Sequence, residues 1–303
     1  MFDPLLAASP LRSNLRGILW MLIFAFIMSF MWILIRHVSA DIHPFVIAFC
    51  RNLFGLIAVI PWFIMHGMAP LKTHRLGLLG VRGLLNTISM LAFFTALSIT
   101  PTAEVTALAF TAPIYATLLA MFFFREAVGI RRWAAILIGF LGTLVVLRPG
   151  FEAISTGQLL VIFSAMIWGA CLVIIKSIGR TESSVTITTY MSLFMTPLSL
   201  VPALFVWQWP SGEQLLWLVG IGVLGGGGQL AMTESLRSAD THVVMPVDFT
   251  KLIWVAIIGY LAFGEVPGIY VWLGGTMIFS ATAFIAYREH VLGKQTKATP
   301  QLS

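Results

Sequence analysis

HVVMPVDFTKLIWVAIIGYLAFGE, residues His242 to Glu265, is the stretch on which the reading of this chain turns. It is apolar and long enough to cross a bilayer, which takes about 20 residues, yet its first half holds Pro246, Asp248 and Lys251. A charge at the bilayer centre costs roughly 2.5–3.5 kcal/mol on insertion scales, so such side chains face a protein interior or a wet cavity. Asp248 and Lys251 stand three apart on one helical face, where opposite charges offset each other. A structural ion pair is the plainer reading and a solute pathway the sharper one.

The rest of the chain has the same character. It is 59% hydrophobic and only 10% charged, with a mean hydropathy of +0.95. Soluble domains carry about a quarter charged residues, so the composition describes a polytopic membrane protein. The net charge of +6 comes from Lys and Arg scattered through short connections, not from a basic stripe, and nucleic acid is not an expected partner. Cys50 and Cys171 fall inside apolar windows as small hydrophobes, with no disulfide framework implied. Arg12 and Arg16, followed by an apolar run and Val38-Ser39-Ala40, look like a cleavable leader. The run Gly17–Ile35 is longer than a leader's core, however, and Arg36 and His37 interrupt the approach to the site, so it reads as a retained first span.

Ten apolar windows follow from the punctuation: Gly17–Ile35, Pro44–Met65, Leu76–Ser98, Ala103–Phe124 and Ile130–Leu147, then Gly157–Ser177, Val185–Val206, Gln214–Leu236, His242–Phe263 and Gly268–Tyr287. Among the alternating connections, thirteen Lys and Arg fall on one side and only Arg36 and Arg148 on the other. The positive-inside rule then puts both termini in the cytoplasm. Residues 1–16 form a cytoplasmic N-terminal segment and 289–303 a cytoplasmic tail, of which Lys294 to Ser303 reads as disordered.

Compared with itself, the chain repeats. Phe124, Glu126, Gly129 and Trp133 match Phe263, Glu265, Gly268 and Trp272 at one offset, and Ala107-Leu108-Ala109-Phe110-Thr111 aligns there with Pro246-Val247-Asp248-Phe249-Thr250. With small gaps, Gly17, Ala25 and Arg36 match Gly157, Ala165 and Lys176. The fold expected is therefore an all-α integral membrane protein of ten transmembrane helices, built as two five-helix repeats over 17–148 and 157–288. Five spans is an odd number, so the copies enter the membrane from opposite sides. Inverted repeats of this kind belong to transporters that hold substrate near the midplane.

The intramembrane charges are not shared by the two copies. Arg51 falls opposite Ser192, Arg82 opposite Ile221, Glu234 opposite Thr95, Asp248 opposite Ala109 and Lys251 opposite Ala112. Unshared charge points to a site specialised after duplication. Depth from the rise per residue puts Arg82 and Asp248 toward the cytoplasmic face with Glu234 closer to that surface, and Arg51 and Glu104 toward the outer face. Lys251, Asn86, Tyr115 and Gln229 fall nearer the middle. We therefore expect Arg82 with Asp248 or Glu234 to close the inner side, Arg51 with Glu104 to close the outer side, and Lys251 to read the substrate. Snorkelling to headgroups is the plainer account of Arg82. Trp32 and Trp168 join Tyr115 as aromatic cavity candidates. The run Gly225-Gly226-Gly227-Gly228 before Gln229 suits close helix packing, or alternatively a flexible segment beside the cavity.

No nucleotide loop, dinucleotide fingerprint or His/Cys cluster with metal spacing is visible, so neither cofactor nor metal is expected and ATP is not a direct driver.

The strings Pro101-Thr102-Ala103-Glu104-Val105-Thr106-Ala107-Leu108-Ala109-Phe110-Thr111-Ala112-Pro113 and Phe124-Arg125-Glu126-Ala127-Val128-Gly129-Ile130-Arg131-Arg132-Trp133 are the most distinctive. With Pro246-Val247-Asp248-Phe249-Thr250-Lys251-Leu252 and Phe263-Gly264-Glu265, they resemble the EamA-type drug/metabolite transporter superfamily across Gly17 to Arg288. The resemblance implies ten helices, a central cavity and a bacterial inner-membrane location. The pattern of Arg51, Arg82 and Asp248/Lys251 is most similar to the branch associated with S-adenosylmethionine or riboflavin uptake. Glu126 and Glu265 match family marks that read as helix-end packing.

The function expected is secondary transport, by alternating access, of a small polar or amphipathic metabolite such as an amino acid, S-adenosylmethionine or a flavin. Protons are a candidate coupling ion, and the protein is expected as a monomer or homodimer. An integral-membrane lipid-modifying enzyme, or a receptor or scaffold that binds without translocating, is the competing class.

Overall fold

The computed structural model describes residues 10–66, 73, 75–124, 130–148, 153–178, 181–182, 184–239 and 241–298. Over these it is all-helical. The first half holds α1 (Pro10–Val38), α2 (Pro44–His66), α3 (Leu76–Ile99), α4 (Thr102–Ala109), α5 (Ala112–Phe124) and α6 (Ile130–Leu147). The second holds α7 (Thr156–Ile178), α8 (Ser184–Phe205), α9 (Gly212–Ser238), α10 (Thr241–Asp248), α11 (Thr250–Phe263) and α12 (Ile269–Ala298). Six stretches of the described residues are long and apolar enough to span a membrane, and four shorter apolar helices bring the total to ten. At the termini the helices outrun the sequence reading: α1 starts at Pro10, within the expected N-terminal segment, and α12 continues to Ala298 through part of the expected disordered tail.

Two of the ten windows are broken, which the sequence reading did not anticipate. In the fourth, Pro113 has no N–H to give the carbonyl of Ala109, and α4 stops there. In the ninth, Pro246 likewise leaves the carbonyl of His242 without its helical donor, and the chain breaks at Phe249. Both breaks are tightened in the same way. The Thr111 hydroxyl donates to the carbonyl of Leu108 at 2.7 Å, and the Thr250 hydroxyl to the carbonyl of Val247 at 2.8 Å. These threonines, and the phenylalanines before them, are the residues that the repeat aligns. Phe110 and Phe249 stack on each other with ring centroids 3.8 Å apart, so the two breaks meet.

The halves interlock. In the first half α1 packs on α9 and α11, and α2 on α9; in the second, α7 packs on α3 and α5, and α8 on α3. Adding five spans to any of these pairs gives another of them. The pairs α2 with α8 and α6 with α12 map onto themselves. Small residues set the closest approaches. A Cβ on Gly274 would stand 2.5 Å from the carbonyl oxygen of Gly142, and one on Gly142 would stand 2.9 Å from that of Gly274, so α6 and α12 touch backbone to backbone. On α9, Gly222 faces Phe54, Gly225 faces Arg51 and Gly228 faces Met28, whereas Gly227 meets nothing. The glycine run is thus a packing face against α1 and α2.

Candidate functional site

Lys251 lies in the first turn of α11, immediately after the break, and its side chain is buried. Its ammonium is 2.7 Å from Asp248 Oδ2, across the break on the last residue of α10. The same nitrogen lies 4.9 Å from the ring centre of Phe24, 5.4 Å from Trp32 and 5.6 Å from Phe110, all within cation–π range. Trp32 meets Phe93 edge to face at 5.0 Å, and Phe249 contacts Phe279 at 3.9 Å. The Ser29 hydroxyl shares its proton between the carbonyl of Ala25 at 2.7 Å and that of Lys251 at 3.2 Å, which brings α1 against the backbone beside the charge. Asp248 Oδ1 is buried without a partner. One charge pair of the second half is therefore enclosed in aromatic faces drawn from the first.

A second polar cluster joins α2, α3 and α8. Arg51 donates to Asn52 Oδ1 at 3.1 Å, and Asn52 donates to Ser199 Oγ at 3.1 Å and to the carbonyl of Met195 at 3.5 Å. Asn86 donates to the sulfur of the same Met195 at 3.0 Å. Gly225 leaves room for the guanidinium, since a Cβ there would lie 2.8 Å from Arg51 Nε.

The gate pairs drawn from depth are not formed in this structure. Arg82 is buried and turned toward α8, where it donates to the carbonyl of Ile187 at 3.2 Å and to the Met191 sulfur at 3.5 Å. It does not snorkel. Glu234 instead takes Arg237 at 3.0 Å and Arg16 at 3.7 Å. Arg51 donates a hydrogen bond to Asn52, while Glu104 accepts from the amide of Gln158. A Ser155/Gln158 capping box fixes that glutamine at the start of α7. Depth along a helix says nothing of direction around it, and direction decides these partners.

The remaining expected residues divide. Trp32 lies 5.4 Å from the Lys251 ammonium. Tyr115 instead lines a cleft of about 180 Å³ between α5 and α6, with Thr111, Leu118, Trp133 and Phe140, whose last two side chains are exposed on the apolar perimeter. Trp168 and Gln229 stand half-buried on α7 and α9 and make none of the contacts around Lys251.

Sequence reasoning missed Phe24, Phe110, Phe249, Asn52, Met195 and Ser199. For Phe110 and Phe249 the signal was available in their alignment with each other. It also missed a pair at the helix ends. Gly264 caps α11 in the left-handed region at φ 69°, which glycine alone adopts freely, and the turn delivers Glu265 to Arg36. Arg36 also donates to the carbonyl of Thr100 and lies 5.2 Å from the Phe263 ring. This agrees with the reading of Glu265 as helix-end packing; Glu126 lies outside the described residues.

Ten apolar helical stretches in two interlocked halves, with a charge pair caged where the broken spans meet, define a multi-pass membrane transporter. The model of the EamA-like transporter family matches the chain twice, over residues 15–148 and 155–287, and the chain belongs to that family. It is 30% identical to a riboflavin transporter of Vibrio cholerae, covering 91% of this chain and 94% of that one. It is also 30% identical to an S-adenosylmethionine uptake transporter of Rickettsia felis, covering 92% and 95%. A solved crystal structure, 19% identical, shares the fold with a TM-score of 0.61 over 91% of this chain and 97% of that one. The protein is a small-metabolite transporter of the bacterial inner membrane.

Proposed function

We propose that this protein takes up a small metabolite with a flat aromatic portion by alternating access, the substrate binding between the halves beside Lys251, Asp248 and Trp32. The observation that carries the reading is the charge pair at the meeting of the two broken spans. Broken helices at the midplane are where transporters of inverted-repeat design hold their cargo. Bound there, a planar ring would find the faces of Trp32, Phe110 and Phe249. In this reading the repeats at 17–148 and 157–288 are inverted and both termini face the cytoplasm, which the thirteen-to-two distribution of connecting Lys and Arg supports.

Arg51 and Asn86 form a second polar wall toward the outer half of the cavity. Tyr115, Trp168 and Gln229 contribute in states other than the one described. Gating falls to the surface-proximal pairs: Arg36 with Glu265 and Glu104 with Gln158 outside, and Glu234 with Arg16 and Arg237 inside. Arg82 holds α3 to α8 as they move. The relatives named for riboflavin and S-adenosylmethionine make those two compounds the first substrates to try. The test is uptake of each, radiolabelled, into proteoliposomes. Saturable accumulation or counterflow of either, lost in Asp248→Asn, is expected. Equal flux into protein-free vesicles would remove the proposal.

A further inference from the structure

The surroundings of Lys251 are chemically the wrong way round for reading an anion. Its ammonium already has a carboxylate at 2.7 Å, and its other sides are closed by the faces of Phe24, Trp32 and Phe110. Aromatic faces carry the negative side of the ring quadrupole. Lys251 and Asp248 cancel in charge, so what remains toward an incoming group is three electron-rich faces and the partnerless oxygen Asp248 Oδ1. That set repels carboxylates and phosphates. It is also the set that recognises alkylated cations, which have no strong donors to spend on water and are held by ring faces.

We propose that the Lys251 ammonium is a tethered stand-in for a substrate cation, and that the cage of Phe24, Trp32, Phe110 and Asp248 takes the onium centre, sulfonium or substituted ammonium, of the cargo. This rests on the preceding reading that cargo binds at this site, and it names the cargo's chemistry. The lysine side chain can leave because it is a flexible four-carbon stem. Its backbone stays, because Lys251 is part of the first turn of α11. With Phe110 and Phe249 stacked directly beside the cage, a cargo carrying both an onium centre and a flat ring system would use both surfaces. When the cargo departs, the ammonium returns and the empty carrier resets with its cage filled.

The test uses the purified full-length protein. On the wild type, the binding of S-adenosylmethionine is compared by calorimetry with that of S-adenosylhomocysteine, which lacks one methyl group and with it the positive charge on sulfur. On Lys251→Met, trimethylsulfonium is the probe, with the double variant Asp248→Asn/Lys251→Met as its control. The expectation is a preference of about tenfold or more for the sulfonium compound on the wild type. Lys251→Met should bind trimethylsulfonium about tenfold more tightly than wild type, with the gain lost in the double variant.

Equal binding of the two adenosyl compounds would overturn the proposal even if the lysine variant fails to fold. So would a folded Lys251→Met that gains no affinity for trimethylsulfonium. Vesicle flux separates this failure from that of the transport reading. Riboflavin uptake indifferent to trimethylsulfonium leaves a carrier and refutes the cage, whereas sulfonium binding without flux of either compound supports the cage and refutes the carrier.

Discussion

Asp248→Asn isolates what the central pair contributes to the fold. Its two charged atoms are 2.7 Å apart, and the side chains of Lys251 and Asp248 are 9% and 19% exposed. Removing one member of a buried pair costs about 3–5 kcal/mol, because the other is left charged and desolvated. Two features lower that figure here. Asp248 is partly open, so water screens the pair, and ring faces at 4.9 to 5.6 Å go on holding the ammonium. The expected loss is about 2–3 kcal/mol. Lys251→Met should cost a similar amount, since Asp248 Oδ1 already lacks a partner and Oδ2 would then lose its own. Combining the two removes both charges while nearly conserving volume, and the double variant should return to within about 1 kcal/mol of wild type. Unfolding by denaturant in mixed micelles, followed by tryptophan fluorescence, gives the three differences. If the double variant loses the sum of the single losses, the charges do not depend on each other and the account of the pair is wrong.

Gly274→Leu should destabilise by about 1–3 kcal/mol, because its Cβ would stand 2.5 Å from the Gly142 carbonyl oxygen; Gly220→Ala, with nothing within 4 Å, should not, and thermal midpoints in detergent compare them. Asn52→Ala should cost about 1–3 kcal/mol in the same assay, since it removes the 3.1 Å bond to Ser199 from a buried site and leaves Arg51 without its acceptor. Glu265→Gln should change thermal stability by less than about 1 kcal/mol, as expected of a partly exposed pair, while raising the reactivity of a cysteine placed at Thr100 toward an impermeant thiol reagent added outside. Unchanged reactivity would remove Arg36 and Glu265 from the outer gate.

What could be read from the sequence was whatever is local or repeated. Asp248 and Lys251 pair because they are three apart, and no tertiary information is needed to see it. The duplication was visible because Phe, Glu, Gly and Trp recur in order at one offset, and the family model matches both halves. The breaks in the fourth and ninth windows were not seen, because hydropathy is blind to missing hydrogen bonds and each break lies between apolar turns. Pro113 and Pro246 lie near the breaks, yet the chain parts three residues away from each, where Phe110 and Phe249 meet. The partners of Arg82, Arg51 and Glu104 were misjudged for one reason: helical rise fixes height in the membrane but not azimuth. Arg82 shares a depth with Asp248 and still looks the other way, at Ile187 and Met191.

The interlocking of the halves also sets a schedule for biogenesis. The carbonyl and sulfur that receive Arg82 belong to residues 187 and 191, more than a hundred positions downstream. At 5–20 residues per second, the ribosome takes about 5–20 s to supply them. For α1, whose chief neighbour α9 starts at Gly212, the interval is about 10–40 s. Throughout that time the first half sits in the bilayer with the Arg82 guanidinium lacking these acceptors and its packing faces against lipid. A nascent chain of this design needs either an insertase that shelters those groups or slow enough surveillance by membrane proteases, and any codon change that lengthens the wait will lower yield without altering a single contact in the finished protein.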